Sequence, residues 1–570
     1  GTRRAGCFNH PGYREASTRL AAAIGDHYGN DRRVAGFQVD NELGHEGSDR
    51  CVCGNCQAAW RRWLEAKYRT PAAMNAAWGT VFWGAAYERF DQVPVPRDQV
   101  SSHHNPGLLL DYDRFCSDSA VSFADAQVSA LRERVAPGKW ITTNLYPPPL
   151  SNAIDHRSLV ASMDFASWDN YPIWGPQDAP LPWQATAGML AHVRGLKDGK
   201  PFTVMEQFAG MQGHVALGRL PDDRQAALWT VQAIARGADR IVWFRWRTAP
   251  YGQEQLCLGL HDGDDRETSR GAALRETAAR AKAELDALAS VRAPAEACVA
   301  FRKDDARVLR EQYLSEGLTL RETPWMQAGF DMEFARAFAP FATFGVGADA
   351  LGAESLDAET LGRYRIVSLP LHQMADPALV ERLGAWVHAG GTLVLGFRAG
   401  ARTLGNFSPD LPLPGLFRPL AGATVRRFES LGGGSARLRV GLLPARGTVW
   451  ADLVEPDTAE PVAWWTDRSL HYRGTPCATV NALGRGRVWY LGTSPDPLGM
   501  VFLYRRIFKE AGVDARFLGA DVERVPRLDE SGRRVDLVLN HSAKARRLLG
   551  RALGPWDWAV VPSRRPARGR

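Results

Sequence analysis

The chain has 570 residues, 45% of them hydrophobic and 23% charged; this is the composition of a globular protein of about three or four domains, and no apolar run approaches the roughly 18 residues of a membrane span. The formal charge of +7 comes from arginines spread along the chain, and the one dense basic run, Ser563–Arg570, reads as a solvated tail without a nucleic-acid motif, so neither membrane nor nucleic acid is expected as a partner. Eight cysteines are too few for a disulfide scaffold, and half of them (Cys7, Cys51, Cys53 and Cys56) fall near the start, which fits a reducing, cytoplasmic compartment and one metal site.

In chain order, the first informative element is Val34–Gly44, VAGFQVDNELG, an apolar, β-prone run that ends in Asn41-Glu42. Three cysteines follow within six residues, CVCGNC at Cys51–Cys56. Four further strand-like runs come at Lys139–Leu145, Phe165–Tyr171, Phe202–Gln207 and Ile241–Trp246. Helical patterns separate them, among them Ala58–Tyr68, Asp113–Val135 and Arg224–Gly237. Strand–helix alternation of this kind predicts a parallel sheet with helical crossovers. Polar or aromatic residues crowd the carboxyl end of every strand: Asn41-Glu42, Asn144, Asp169-Asn170-Tyr171, Glu206-Gln207 and Arg245-Trp246. That is where a (β/α)₈ barrel presents its active site. A barrel needs eight strands and five are counted. The opening GTRRAGC reads like a loop, so residues 1–295 are expected to be a TIM barrel lacking its first three β/α units, strands four to eight being present.

From about residue 290 the texture changes. Tyr364–Leu369, a helix at Pro377–Ala389 and a strand at Gly390–Phe397 predict a second α/β unit over residues 296–512. It resembles the class I glutamine-amidotransferase fold, but its turn reads LGFRAG, with Phe397 and no nearby cysteine, so no chemistry is assigned to it. Short alternating runs such as Arg534–Leu539 predict a small antiparallel β domain over residues 513–570.

Glu42 and Glu206 each end an apolar strand. Cleaving a glycosidic bond requires a proton donor for the leaving oxygen and a second carboxylate at the anomeric carbon. With Ile241–Trp246 counted as strand eight, Glu42 ends strand four and Glu206 strand seven, which face each other across a barrel. Nineteen tryptophans also suit a site that stacks sugar rings, although large barrels bury tryptophan as well.

The chain resembles glycoside hydrolase family 42, the retaining β-galactosidases. The motifs that carry the resemblance are FQVDNE (37–42), the CxCxxC after it, RRWLEAKYRTPAAMNAAWGTVFW at Arg61–Trp83, DNYP at Asp169–Pro172, VMEQ at Val204–Gln207 and ARGADRIVWFRWR at Ala235–Arg247. The resemblance implies Glu42 as acid/base, Glu206 as nucleophile, Asn41 on the sugar 2-hydroxyl and Arg3 orienting the nucleophile. It implies Tyr171 and Phe244 lining the sugar site, Trp83 packing against it and Glu254 binding the sugar. It also implies a structural zinc on Cys7, Cys51, Cys53 and Cys56, no catalytic cofactor, and a homotrimer formed through the second domain. Two positions depart from the family pattern: His214 stands where the family has Trp, and Cys257 where it has His. The function expected is hydrolysis of terminal β-D-galactosides by double displacement. The alternatives are an endo-acting β-glycanase, which would need an open groove instead of a pocket, and a non-catalytic carbohydrate-binding relative.

Overall fold

The computed structural model describes residues 6–97, 104–289, 294–319 and 329–563. Its N-terminal part is built on parallel strands: β1 (Gly36–Gln38), β2 (Trp140–Thr142), β3 (Asn144–Leu145), β4 (Ser167–Asn170), β5 (Phe202–Phe208) and β6 (Ala238–Phe244). β1 pairs with β2, and β3, β4, β5 and β6 pair in that order. The run Lys139–Leu145, expected as one strand, is broken at Thr143, and it pairs with β1 before the break and with β4 after it. The five expected strand positions of a partial barrel are therefore all present among the described residues.

β6 starts three residues earlier than the apolar run Ile241–Trp246 suggests. Ala238 and Arg240 pair with Phe202 and Thr203, while Asp239 and Arg240 are exposed on an edge. Polar residues on a solvated edge carry no hydrophobic signal, so sequence reading placed the strand too late. Helices return the chain between strands. The longest, Pro106–Arg132, starts at Asn105, whose side chain accepts from the backbone N–H groups of Gly107 and Leu108, with Pro106 in the first turn. Asp222 caps helix Asp223–Ala235 in the same way. Phe123, Ile141, Trp168, Leu190 and Val204 form the core between strands and helices.

The second region holds a ten-stranded mixed sheet made of β7 (Ala297–Phe301), β8 (Ala348–Gly352), β9 (Ile366–Leu369), β10 (Thr392–Leu395), β11 (Ala423–Val440), β12 (Leu443–Pro456), β13 (Glu460–Trp465), β14 (Pro476–Leu483), β15 (Gly486–Leu491) and β16 (Ser494–Pro495). β8, β7, β9, β10 and β15 run parallel, which is the α/β unit the sequence predicted. The long β11–β12 ribbon and the antiparallel strands beside it escaped sequence reading. Within β11 the segment Leu431–Gly434 is glycine-rich and the register shifts between Ser430 and Ser435, so no steady alternation marks it.

The last region is a three-stranded antiparallel sheet of β17 (Val522–Leu528), β18 (Arg534–Asn540) and β21 (Trp558–Pro562), with the hairpin β19 (Arg546–Leu548)–β20 (Arg551–Leu553). It packs Val525, Leu537 and Trp558 against Leu228, Val231 and Leu285 of the barrel helices. A buried Glu523 ties it down by accepting from Arg236 Nε at 2.8 Å and Gln232 Nε2 at 2.8 Å, and lies 2.7 Å from His541 Nε2. Removing one partner of such a buried charge costs about 3–5 kcal/mol.

Candidate active site and thiol cluster

The site forms where β1, β3, β4, β5 and β6 end. After β1 the chain turns sharply, with Asp40 at φ 56° and Glu42 at φ 46°. Left-handed backbone at non-glycine residues costs about 1–3 kcal/mol each and persists only where neighbours enforce it. The enforcing contacts are short. The Asn41 N–H donates to Asp40 Oδ1 at 2.8 Å, and the Glu42 N–H donates to Asn144 Oδ1 at 3.0 Å. The turn aims the buried Glu42 carboxyl into the barrel mouth, where Asn41 Nδ2 donates to its Oε2 at 3.2 Å and His45 Nδ1 lies 3.3 Å from the same oxygen.

Glu206 sits on β5 opposite Asp169 of β4 in register. Tyr171 Oη donates to Glu206 Oε2 at 2.7 Å, and Asn144 Nδ2 donates to Glu206 Oε1 at 3.2 Å. Asn144 is the hub of the floor, because the same amide nitrogen also reaches Asp169 Oδ2 at 2.7 Å and Asn41 Oδ1 at 3.0 Å. Oxygens of Glu42, Asp169 and Glu206 lie within 4.8 Å of one another. Retaining glycosidases hold their two carboxyl groups about 5–5.5 Å apart, whereas inverting enzymes leave a wider gap of roughly 6.5–9.5 Å. Burial, reinforced by the charges of Glu206 and Glu42, pushes the Asp169 carboxyl well above the usual carboxylate range. Burial and the Glu206 carboxylate likewise hold the Tyr171 hydroxyl protonated.

A pocket of about 240 Å³ opens above these groups, lined by Asn41, Glu42, Tyr171, Glu206, His214, Phe244, Glu254 and Cys257 among others. The pocket thus gathers Asn41, Glu42, Tyr171, Glu206 and Phe244 from the strand ends, together with His214 and Cys257. His214 packs edge-on against Trp174 at 5.4 Å and lies 3.9 Å from Glu46. Cys257 Sγ points to the Gly213 carbonyl at 3.7 Å, and burial pushes its thiol up. Glu254 accepts from Arg245 at 3.3 Å.

Trp83 is not among the residues lining this pocket. It lies in the turn Phe82–Gly84 at φ 59°, 84% exposed, with its ring tilted against Phe82 at 5.0 Å. The motif places it after the helix Pro71–Trp78, but that helix packs Trp78 inward onto Asp111 and sends the following turn to solvent. Arg3 lies outside the described residues. The sequence reading placed Asn144 and Asp169 at strand ends without giving them roles in the site, and it missed His45, Glu46 and Trp174. His45 follows Glu42 by three residues, and that spacing was the available signal.

Beside the mouth, Cys7, Cys51, Cys53 and Cys56 bring their sulfurs within 4.8 Å of one another. Cys7 Sγ lies 3.4 Å from Cys56 Sγ and 3.5 Å from Cys53 Sγ. The edge of a tetrahedral thiolate shell with Zn–S of about 2.3 Å is about 3.8 Å, so the donor set fits a four-coordinate soft metal. Asn9 donates to the sulfurs from its backbone N–H (Cys7, 3.3 Å) and side chain (Cys56, 3.5 Å), as a supporting shell around thiolates would. Hydrogen bonds from Cys56 and Cys7 pull the Cys51 thiol far down. Behind the cluster Trp60, fully buried, packs on Trp63, Tyr112 and Phe115.

Comparison with known proteins adds to this geometry. A family profile described as β-galactosidase, glycoside hydrolase family 42, matches residues 1–285. A second, described as a β-galactosidase trimerisation domain, matches residues 321–514. A β-galactosidase of Haloferax lucentense is 32% identical over 528 residues, covering 90% of this chain and 75% of its own. One from Thermus thermophilus is 32% identical over 585 residues, covering 98% and 84%. The solved β-galactosidase of the haloarchaeon Halorubrum lacusprofundi superposes with a TM-score of 0.88 at 28% identity, covering 99% of this chain and 84% of its own. That of the psychrophile Marinomonas ef1 gives 0.83 at 27%, covering 99% and 85%.

Proposed function

This chain belongs to glycoside hydrolase family 42, and we propose on that footing that it hydrolyses terminal β-D-galactosides by double displacement, with Glu206 as nucleophile and Glu42 as acid/base. The observation that carries the reading is the close approach of two strand-end glutamates at the floor of a pocket, a spacing that suits retention.

In the first step Glu206 attacks the anomeric carbon and Glu42 gives its proton to the departing glycosidic oxygen. In the second, Glu42 takes a proton from water as that water displaces Glu206. Tyr171 and Asn144 hold the Glu206 carboxylate through one bond to each oxygen, which fixes its direction of attack. Asn41, bonded to Glu42 and held by Asn144, is placed to meet the sugar 2-hydroxyl. Tyr171 and Phe244 supply apolar walls, and Glu254 and His214 polar contacts, to the sugar. Arg3 would assist Glu206 in holding its charge.

Cys7, Cys51, Cys53 and Cys56 would hold a structural zinc. Four thiolates close the shell, so the metal would brace the loop after Glu42 and leave the reaction to the glutamates. The match to a trimerisation domain supports a homotrimer assembled through the second region. We divide the chain at 1–295, 296–512 and 513–570, and a four-thiol site suits the reducing cytoplasm.

A panel of nitrophenyl glycosides tests the function. Turnover fastest on the β-D-galactoside, with retention seen by NMR of the first-formed sugar, is the expected outcome. Inversion, or preference for internal linkages of a polymer, would overturn it.

A further inference from the structure

The two glutamates are held in different ways. Glu206 sits inside the regular strand β5, where pairing with β4 fixes its backbone. Glu42 sits in a loop with left-handed backbone at Asp40, Glu42 and Glu46. Such backbone persists only where the surrounding structure enforces it, and the contacts can be followed along the loop. The His45 N–H donates to the Glu42 carbonyl at 2.9 Å, and the Ser48 N–H and hydroxyl donate to the His45 carbonyl at 3.1 and 2.7 Å. The His45 ring stacks on Tyr146 at 4.2 Å. Gly44, at φ 89°, is packed so closely that a Cβ there would lie 2.2 Å from Ile154 and 3.3 Å from the Cβ of Asp49. This run of turns ends at Asp49 and Arg50, just ahead of Cys51.

Both of these residues are gripped from the second region. Helix Lys303–Glu311 follows β7 and lies between the spans of the two matched profiles. Arg307, Arg310 and Glu311, spaced by three and four residues, share one of its faces. Arg310 donates to both oxygens of the buried Asp49 carboxylate, with Nη2 3.4 Å from Oδ1. Glu311 accepts from Arg50, whose Nε is bonded to the buried Asp113 of helix Pro106–Arg132. Arg307 donates to the Ala153 carbonyl from Nε at 3.0 Å and from Nη2 at 2.7 Å, while the Ala153 N–H donates to Asp49 Oδ2 at 2.9 Å. The loops that follow β1 and β3 are thus joined at Asp49 and pinned to one helix. Without Arg310, Asp49 would be a buried charge short of its partner, which the loop would relieve by moving toward solvent.

We propose that Arg310 and Glu311 are positioning residues for Glu42, so that the acid/base, unlike the nucleophile, depends on a helix outside the barrel. This rests on the assignment of Glu42 as acid/base and Glu206 as nucleophile. A general acid must hold its proton within hydrogen-bond reach of the departing oxygen, and a displacement of about 1 Å is enough to cost on the order of 100-fold. Asp49 and Arg50 follow Glu42 by seven and eight residues, linked to it by the turns through His45 and Ser48. Loosening their grip therefore shifts the Glu42 carboxyl and leaves Glu206 on β5 in place. The damage should fall on proton donation to the leaving group and spare the attack on the anomeric carbon.

Variants of the full chain test this on two galactosides. The sugar leaving group of lactose must be protonated as it departs, whereas dinitrophenolate departs without a proton. For Arg310→Met, kcat/KM should fall by about 10–100-fold on lactose and by less than about 3-fold on dinitrophenyl β-galactoside. Arg310→Lys keeps the charge and should recover part of the loss on lactose. Glu311→Gln changes little volume and should show the same split at about 2–5-fold, so it carries the test if Arg310→Met does not fold. Equal losses on both substrates, or no loss on either, would overturn the proposal. Hydrogen exchange needs no turnover and stands apart from the assignment of function. In Arg310→Met the amides of residues 42–50 should exchange about 10-fold faster than in wild type while those of β5 keep their rate. Unchanged exchange at 42–50 would overturn the clamp, whereas a wild type that hydrolyses no galactoside would sink the proposed function and leave the exchange result to decide the clamp.

Discussion

Two clusters of like groups lie at the mouth of the barrel, and both are crowded to within 4.8 Å: three carboxyls at the floor and four thiols beside it. Neither is tolerable fully ionised on its own. The carboxyl cluster is hard, sits in a pocket, and has neutral donors on its rim, Asn144 and Tyr171. Carboxyls can take up and give back protons, and a pocket reaches them, so such a cluster is equipped for proton transfer. The thiol cluster is soft, packs against Trp60 and is buttressed by Asn9 N–H groups. It suits a metal that closes the shell, and a closed shell does no chemistry. The difference shows that crowding alone does not mark a catalytic centre; what relieves the crowding, and whether a pocket reaches it, decides.

The largest expected effect comes from removing a charge carrier at the floor. Glu206→Gly should cut turnover by on the order of 10⁴-fold or more, and azide should restore it with the α-glycosyl azide as product from a β-substrate, since a single inversion occurs. Glu42→Gly should instead yield the β-azide after glycosyl-enzyme formation. Swapped products would exchange the two roles. At the thiol cluster the loss should fall on stability. Cys53→Ser, or removal of zinc by a chelator, should lower the melting temperature by about 5 °C or more while kcat per folded molecule changes little. Metal analysis should find about one zinc per chain, and an equally stable zinc-free protein with four free thiols would sink the contrast.

A third pair of groups, in a cavity between the barrel and the second region, sharpens the comparison because burial acts there without a relieving partner. His156 and His192 are both buried, and neither ring has a hydrogen-bond partner among the described residues. Burial, with Lys303 nearby, pushes His192 down to about 3 and His156 well below its ordinary range. An unfolded chain therefore binds protons at these sites that the folded chain refuses. Their contribution to stability is full above about pH 6.5 and is lost as pH falls from there toward 3. His192→Gln should flatten that part of the melting-temperature profile, whereas an unchanged slope would show that the acid sensitivity arises elsewhere. The smallest effect is expected at the pocket wall. Cys257→His and His214→Trp, which restore the family residues, should lower KM for a β-galactoside by about 2–10-fold, and a rise would mean the wall is fitted to another sugar.

The floor was partly legible because strand ends announce themselves. Glu42 and Glu206 each close an apolar run, so a local pattern sufficed to place them together, as it did for the three cysteines packed within six residues. The roles of Asn144 and Asp169 were not legible, although both also end strands. Which strand-end residue bonds which depends on register across β3, β4 and β5, and register is a long-range property that no local window carries. Trp83 shows the complementary limit: a strong motif match fixes the local turn but not which way that turn faces once its helix has packed.

By itself the sequence determined the alternation of strands and helices in the N-terminal part, its five strand positions, the two strand-end glutamates and the three clustered cysteines. Each of these follows from hydrophobic period or residue spacing along the chain. Only the tertiary structure decided the partner switch at Thr143, the long β11–β12 ribbon and the outward turn of Trp83. It alone brought Asp169 against Glu42 to make a third acid of the floor. These features depend on burial and on contacts between residues far apart in sequence: whether a carboxyl keeps its proton is settled by what surrounds it in space.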